Sequence, residues 1–227
     1  MAVTLDRTTS SPAPAASGSA HAAGARGDRV TFWFGCNMLR HAEMIRLSIL
    51  LLEKAGYDVA AAGGPAYCCG TAHDQAPKAA STMASRTVAA FNARADDEGR
   101  GTVVTWCPSC HMHMNDIMAP GNPTRFDVAH VTEMLAEAGD RLAPHFTKPV
   151  RRRVLLHRHA GFNTHVAVNA RVASLLARIE GLTLVEGKAH AGHMCSSLAA
   201  VPGALKNAVG EITGSARDAG CDTIATI

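Results

Sequence analysis

Residues 30–36 read VTFWFGC: a short run of β-branched and aromatic side chains that stops at Gly35 and leads directly into Cys36. Such a run, closed by a turn residue, predicts a buried β-strand. Apolar residues then recur at helical spacing between residues 44 and 51, and the pattern ends before Gly56, which suits a helix C-cap. The chain therefore predicts a strand followed by an amphipathic helix.

The same alternation continues beyond the first helix. The sequence predicts a second strand over residues 57–61, a helix over 77–95 and a third strand over 102–106. Strands that alternate with helices predict a parallel α/β sheet with right-handed crossovers. In such sheets, the loops at the carboxyl ends of the strands gather at one edge and form the binding crevice.

Five of the seven cysteines follow these three predicted strands. Cys36 follows the first strand, Cys68 and Cys69 follow the second, and Cys107 and Cys110 follow the third in a Cys-Pro-Ser-Cys motif. We therefore expect the five thiols to meet at one edge of the sheet. Thiolates are soft ligands that suit iron–sulfur clusters and zinc. Four thiolates satisfy a tetrahedral zinc ion or an ordinary cubane cluster, so a fifth favours a larger or opened cluster.

Three short motifs carry a family resemblance. FGC at residues 34–36, YCCG at 67–70 and TWCPSC at 105–110 resemble the cysteine-rich CCG domain found in the iron–sulfur subunit of heterodisulfide reductases and in its bacterial relatives. The resemblance covers residues 30–135, and the second half of the chain only weakly. It implies that five cysteines bind a non-cubane [4Fe-4S] cluster, and that the cluster itself carries the chemistry of an oxidoreductase subunit. The implied cofactor ligands are Cys36, Cys68, Cys69, Cys107 and Cys110.

The resemblance implies an iron–sulfur redox subunit of a heterodisulfide reductase-like complex, which transfers electrons to or from a small thiol/disulfide substrate. Its partners would be other redox subunits, either a flavoprotein or a ferredoxin-like iron–sulfur subunit. A close alternative is the iron–sulfur subunit of a flavin dehydrogenase that oxidises lactate, glycolate or succinate. The sequence has no GxGxxG loop, so we expect its electrons to come from another chain.

Two alternatives without an iron–sulfur cluster stay open at the sequence level. The first is a zinc-stabilised binding module with no redox role, which would use Cys36, Cys68, Cys107 and Cys110. The second is a bare dithiol redox pair. A visible absorption spectrum separates iron from zinc, because zinc is spectroscopically silent.

The second half of the chain repeats the pattern of the first. The sequence predicts a strand over residues 154–159, a helix over 166–179 and strands over 182–186 and 223–227. We predict a tail over residues 1–28, a CCG domain over 29–146 and a degenerate CCG-like repeat over 150–227. This repeat stops just before a second CxxC motif would begin, which suggests that it is cut short.

The repeat retains one cysteine of the pair, and histidines replace the others. A mixed site for zinc or iron is one interpretation, and a vestigial half that stabilises the first or docks a partner is the other. Ala160 stands where Cys36 would stand, and Cys221 is predicted to be a buried apolar cysteine. The candidate ligands of the second site are His157, His159, His193 and Cys195.

Composition limits the class of protein. The net charge is only +3 and the basic residues form no long tract, so no nucleic-acid partner is implied. No apolar run is long enough to span a membrane, and residues 1–28 lack the apolar core of a secretory signal and predict a disordered tail. These features predict a cytoplasmic protein, where closely spaced thiols more often bind metal or do redox work than form structural disulfides.

Residues beside the cysteines have predicted local roles. Gly70 would let the backbone approach the cluster or would simply shape a turn, and Pro108 would begin a helix whose N-terminus stabilises thiolates. Trp106 would shield the cluster from water or belong to the core. His111 and His113 lie two residues apart on a helix, so we expect one to matter at the site and the other to be exposed.

Overall fold

The computed structural model describes residues 28–71, 75–159, 166–186 and 201–227, apart from the side chain of Asn37. Within these residues the strands form two parallel β-sheets that helices flank. This arrangement confirms the predicted α/β fold class with two parallel halves. Of the predicted tail over residues 1–28, only Asp28 lies within the described part of the chain.

The first sheet has four parallel strands in the order β2-β1-β3-β4. These strands are β1 (Arg29–Gly35), β2 (Asp58–Gly63), β3 (Thr102–Thr105) and β4 (Asp127–His130). The helices of this half are α1 (Ala42–Lys54), α2 (Pro77–Glu98), α3 (Pro108–His113), α4 (Ala119–Gly121), α5 (Val131–Glu137) and α6 (Gly139–Leu142). A π-helical stretch, Met114–Met118, joins α3 to α4, and short 3-10 turns cover Asn37–Arg40, Pro65–Tyr67 and Ala143–His145.

The central strand β1 is buried on both faces. Val30 and Phe32 point to one face, where they pack with Leu52 of α1. Trp33 points to the other face and meets Phe91 of α2 edge to face, with ring centroids 5.3 Å apart. Burial of a large apolar side chain contributes about 1.5–3 kcal/mol. The two apolar layers therefore fix β1, and with it the loop that carries Cys36.

The second sheet repeats the strand order of the first. Its strands run parallel in the order β6-β5-β7, so the earliest strand is again central. They are β5 (Arg152–His157), β6 (Leu182–Glu186) and β7 (Thr223–Thr226), and the described helices of this half are α7 (Val168–Leu176) and α8 (Ala204–Asp218). This shared topology supports the repeat. The domain limits 29–146 and 150–227 stay a prediction.

The observed elements differ from the predicted ones in two ways. The strand β5 ends at His157 and not at residue 159, because the side chain of Asn169 binds both backbone groups of His159, at 2.8 Å to its N–H and 3.1 Å to its carbonyl. In addition, β4, α5 and α8 were not predicted from the sequence. β4 is only four residues long, which makes it difficult to recognise from a pattern of alternation.

Ion pairs and apolar contacts join the two halves. Arg171 of α7 lies 3.4 Å from Glu133 and 3.6 Å from Glu137, both on α5. Met112 packs beside Val166 and Val168 of the second half. Among the helices that the structure describes, none combines the length and the apolar character that crossing a bilayer requires.

Candidate metal centre

The five cysteines lie at the carboxyl edge of the first sheet, as predicted. β1 is paired with β2 on one side and with β3 on the other, so the three loops that follow these strands are neighbours. Cys36 follows β1, Cys68 and Cys69 follow β2, and Cys107 precedes α3 directly after β3. The strand order, and not proximity in sequence, brings the thiols together.

Two of the thiols are in direct contact. The Sγ atoms of Cys69 and Cys110 lie 3.7 Å apart, with the Cys110 S–H donating to Cys69. Cys68, Cys69 and Cys110 are buried, Cys107 is half-buried and Cys36 is exposed. The site is therefore closed on the side of the CxxC motif and open on the side of Cys36.

Gly35 leaves the room that the cysteines of the CxxC motif occupy. Its backbone has a φ of 74°, and a Cβ atom built there would lie 3.2 Å from the Sγ of Cys110 and 3.7 Å from the Cβ of Cys107. Any side chain at this position would be strained and would press on the thiol. The end of β1 is thus shaped around Cys110.

Gly70 packs closely against helix α2. Its φ is 88°, and a Cβ atom there would lie 2.9 Å from the carbonyl oxygen of Ala80 on α2. The residue therefore allows close packing of the Cys68–Cys69 loop on α2. The hydroxyl of Thr87, also on α2, donates to the carbonyl of Cys68 at 2.9 Å and holds the same loop.

Trp33 anchors the beginning of this loop from the sheet. Its indole Nε1–H donates to the carbonyl of Tyr67 at 2.9 Å. The ring of Tyr67 stacks on Phe91 with centroids 5.5 Å apart. The backbone in front of Cys68 is thereby fixed on both the sheet and the helix α2.

Hydrogen bonds give three of the thiols different pKa values. Hydrogen bonds from the Cys110 S–H, and then from Thr71, lower the pKa of Cys69 to about 5. The Cys110 S–H, together with the backbone N–H groups of Cys110 and Ser109, lowers the pKa of Cys107 to about 6. Donation to Cys107 and Cys69 raises the pKa of Cys110 far above that of a free thiol. The site thus holds two thiolates around one shared proton donor.

Cys36 is electrostatically connected to the same group. Partial burial raises the pKa of its thiol, and the neighbouring charges of Cys68 and Cys69 raise it further. Cys36 therefore lies close enough to Cys68, Cys69 and Cys107 to be affected by their charges. Across the described part of the chain, however, no three His, Cys, Asp or Glu side chains are arranged tightly enough to hold a single metal ion.

The two histidines of the CxxC helix take separate roles. His111 is buried, and its Nδ1 lies 2.8 Å from the hydroxyl of Thr105. His113 is half-buried on the side of the cysteines, where its charge contributes to the low pKa of Cys69. The expectation that one of the pair is exposed is wrong.

Pro108 begins α3 as predicted, and Trp106 packs partly buried against the main core.

The predicted second site can be described only in part. His157 ends β5 and His159 follows it, and both are half-buried. His193 and Cys195 lie outside the described residues, so the proposed ligand set remains a prediction. Cys221 is half-buried and not fully buried as expected.

The position of His130 beside the cysteines was not predicted from the sequence. This residue ends β4, is 4% exposed and bonds the carbonyl of Trp106, directly before Cys107, through Nε2 at 2.9 Å. The available signal was its position: His130 is followed three residues later by Glu133, a spacing typical of a capping box.

Comparison with known proteins identifies the first half. Residues 30–115 match the family model of the CCG cysteine-rich domain, a segment that contains all five clustered cysteines. No curated protein and no solved structure matches the chain. The family match indicates a metal-binding or iron–sulfur role for this segment. Residues 30–115 are therefore similar to the CCG cysteine-rich domain.

Proposed function

We propose that the five clustered cysteines bind an iron–sulfur cluster of the non-cubane [4Fe-4S] type, and that the protein is a redox subunit of a heterodisulfide reductase-like complex. The observation that carries the proposal is the convergence of five thiols, from the segments that follow three neighbouring strands, on one edge of the sheet. Soft thiolates are the ligands that iron–sulfur clusters prefer, and five exceed the needs of one tetrahedral ion.

The thiols of this site are prepared to bind a metal cluster. Cys69 and Cys107 are held as thiolates by hydrogen bonds, so they do not need to lose protons at neutral pH before they bind. Burial of Cys68 and Cys110 excludes water from one side. When bound, the cluster would supply the one-electron transfers that thiol/disulfide chemistry requires.

The open side of the site would give a substrate access to the thiols. Cys36 is the exposed member of the group, and the exposed Leu39 follows it in the 3-10 turn. A small thiol/disulfide molecule could reach the thiols from this side without displacing the buried loops. We propose that electrons arrive from another redox subunit, either a flavoprotein or a ferredoxin-like protein. A co-purifying flavoprotein would favour the related role in a flavin dehydrogenase that oxidises lactate, glycolate or succinate.

One distance favours a second candidate, a zinc-stabilised binding module. Two thiolates that share a tetrahedral zinc ion at about 2.3 Å lie about 3.8 Å apart. The Sγ atoms of Cys69 and Cys110 are 3.7 Å apart, which fits that geometry. In this case Cys69 would be one of the zinc ligands, in contrast to the set expected from the sequence.

Metal and sulfide analysis of anaerobically purified protein separates the two candidates. We expect iron and acid-labile sulfide in the protein, together with broad visible absorption. The variant Cys69→Ser should lose this absorption, while Cys221→Ser, which alters a cysteine outside the cluster, should retain it. Stoichiometric zinc without sulfide would overturn the iron–sulfur proposal and support the binding module. Turnover of a disulfide substrate with a low-potential electron donor would then test the redox role.

A further inference from the structure

The backbone of Trp106, the residue before Cys107, is held from two sides. The backbone N–H of Trp106 donates to the carbonyl of Trp33 on β1 at 3.2 Å. The carbonyl of Trp106 accepts a hydrogen bond at 2.9 Å from the Nε2 of His130, at the end of β4. Two strands on opposite sides of β3 thus fix the backbone that leads into Cys107.

The hydrogen bonds of His130 define its tautomer. A carbonyl oxygen only accepts, so Nε2 carries the proton. Nδ1 is then the acceptor, and it receives the backbone N–H of Thr132 at 3.4 Å and lies 2.8 Å from the Thr132 hydroxyl. Burial lowers the pKa of His130 to about 4, which keeps this neutral form at physiological pH. Both ring nitrogens therefore make hydrogen bonds to the backbone.

The backbone of His130 is held as well. The carboxylate of Glu133 accepts from the backbone N–H of His130 at 2.8 Å, which completes a capping box at the start of α5. The same carboxylate group lies 3.4 Å from Arg171 on α7. The ring of His130 also meets His111, the neighbour of Cys110, edge to face at 5.8 Å. The imidazole thus joins the start of α5 to the CxxC segment.

We propose that His130 is a positioning residue for Cys107, which sets the direction of its thiol through the carbonyl of Trp106. Its effect on cluster binding rests on the proposed function, whereas its hold on the backbone does not. Partners that orient a metal ligand through a hydrogen bond are typically worth about 10- to 100-fold in metal affinity.

Two amide variants separate this role from helix capping. In His130→Asn, the short side chain can replace Nδ1 and cap α5, since Asn is among the best N-cap residues, but it cannot reach the carbonyl of Trp106. In His130→Gln, the longer amide can donate to that carbonyl in place of Nε2 but caps poorly. The variant Glu133→Ala serves as a control that weakens the capping box and leaves the imidazole in place.

Hydrogen–deuterium exchange of the full-length protein is the first measurement. We expect His130→Asn to speed amide exchange in residues 106–110 and His130→Gln to retain wild-type protection there. Glu133→Ala should speed exchange in α5 and at its ion pair with α7, but not in residues 106–110. The second measurement is the release of iron to a chelator from anaerobic protein. It should be roughly tenfold faster in His130→Asn than in His130→Gln.

Equal exchange in the two amide variants over residues 106–110 would overturn the proposal. If His130→Asn does not fold, loss of protection at residues 106–110 in a folded His130→Gln variant would overturn it as well, and retained protection would support it. Failure of both variants to fold would show a requirement for folding and would also overturn the positioning role. If the wild-type protein contains no iron, the proposed function fails, but the exchange data still decide whether His130 holds Cys107.

Discussion

Gly35 shows how one residue without a side chain makes room for the thiols. A φ of 74° favours glycine, and the Sγ of Cys110 would lie 3.2 Å from a Cβ atom at this position. The strand β1 and the CxxC helix approach each other here more closely than any other residue allows. Gly35 is therefore part of the site, although it contributes no ligand.

We expect Gly35→Ala to lower the free energy of unfolding by about 1–2 kcal/mol, because the left-handed backbone is strained for a residue with a Cβ atom. The same change should also reduce the iron content per chain, since the new methyl group displaces the Cys110 thiol. Denaturant titration and metal analysis measure the two effects. Gly101→Ala is the control, since a Cβ atom there has nothing within 4 Å. Normal iron content in Gly35→Ala would contradict this account.

The low pKa of His130 makes the stability of the protein depend on pH. Burial, which is the largest cause, lowers the pKa from 6.5 to about 4, so the unfolded chain binds a proton between these values while the folded chain does not. The contribution of neutral His130 to the free energy of unfolding is fully present above pH 6.5 and is lost as the pH falls towards 4. Between pH 6.5 and pH 5 the loss is about 2 kcal/mol.

Denaturant titrations at pH 7 and pH 5 test this dependence. The variant His130→Gln cannot titrate, so its stability should fall less between the two values than that of the wild type. His145→Gln, which changes an exposed histidine, should leave the wild-type difference intact. Identical pH dependence in His130→Gln and the wild type would show that another group is responsible.

At the scale of the elements, Arg100 joins three of them at the end of the first sheet opposite the cysteines. Its guanidinium donates to the carbonyls of Val30 on β1 at 3.0 Å and Asp58 on β2 at 2.9 Å, and to the carboxylate of Glu98 on α2 at 2.8 Å. Its side chain is only 9% exposed. The pairing of β1 with β2 therefore depends on a buried charge.

We expect Arg100→Met to cost about 1–3 kcal/mol, because it leaves buried backbone carbonyls without their donor. Arg125→Met is the matched control: Arg125 forms an ion pair with Asp96 across largely exposed side chains, and such pairs contribute about 1 kcal/mol or less. Denaturant titration measures both. A similar cost for the two variants would mean that the guanidinium of Arg100 contributes no more than a surface ion pair.

The elements also show where pattern reading succeeds and where it does not. Helix α1 and strands β1, β2, β3, β6 and β7 lie within about two residues of their predicted limits, because each has a clear apolar period or a glycine at its end. Strand β4 and helix α5 could not be predicted, since they are short and depend on pairing with β3 and on the cap formed by His130. The missed capping residue is also the one that bonds the backbone before Cys107.

On the scale of the whole molecule, metal removal should act on one half more than on the other. A ligand that binds only the folded state stabilises the part that it contacts. The five cysteines all lie in segments that follow strands of the first sheet. The two halves are joined by the ion pairs between α5 and α7 and by Met112, which packs against Val166 and Val168, rather than by a shared sheet. The second sheet should therefore be affected only through these contacts between the halves.

We expect treatment with a chelator under anaerobic conditions to speed hydrogen exchange at residues 30–36 and 105–113. Exchange at Arg152–His157 of β5 and Thr223–Thr226 of β7 should change little. Peptide-resolved mass spectrometry measures both regions in one experiment, and the Cys69→Ser variant without chelator provides an independent comparison. An equal increase in both sheets would show that the two halves unfold as one cooperative unit.

The residues alone predict parallel sheets and the location of the five cysteines, since apolar periodicity marks the strands and each cysteine segment directly follows one of them. Only the tertiary structure reveals the 3.7 Å contact of Cys69 with Cys110, the packing of Gly70 on α2 and the hydrogen bond from His130 to Trp106. The reason is physical: these contacts join residues far apart in sequence, and their distances depend on how strands and helices pack rather than on any local preference.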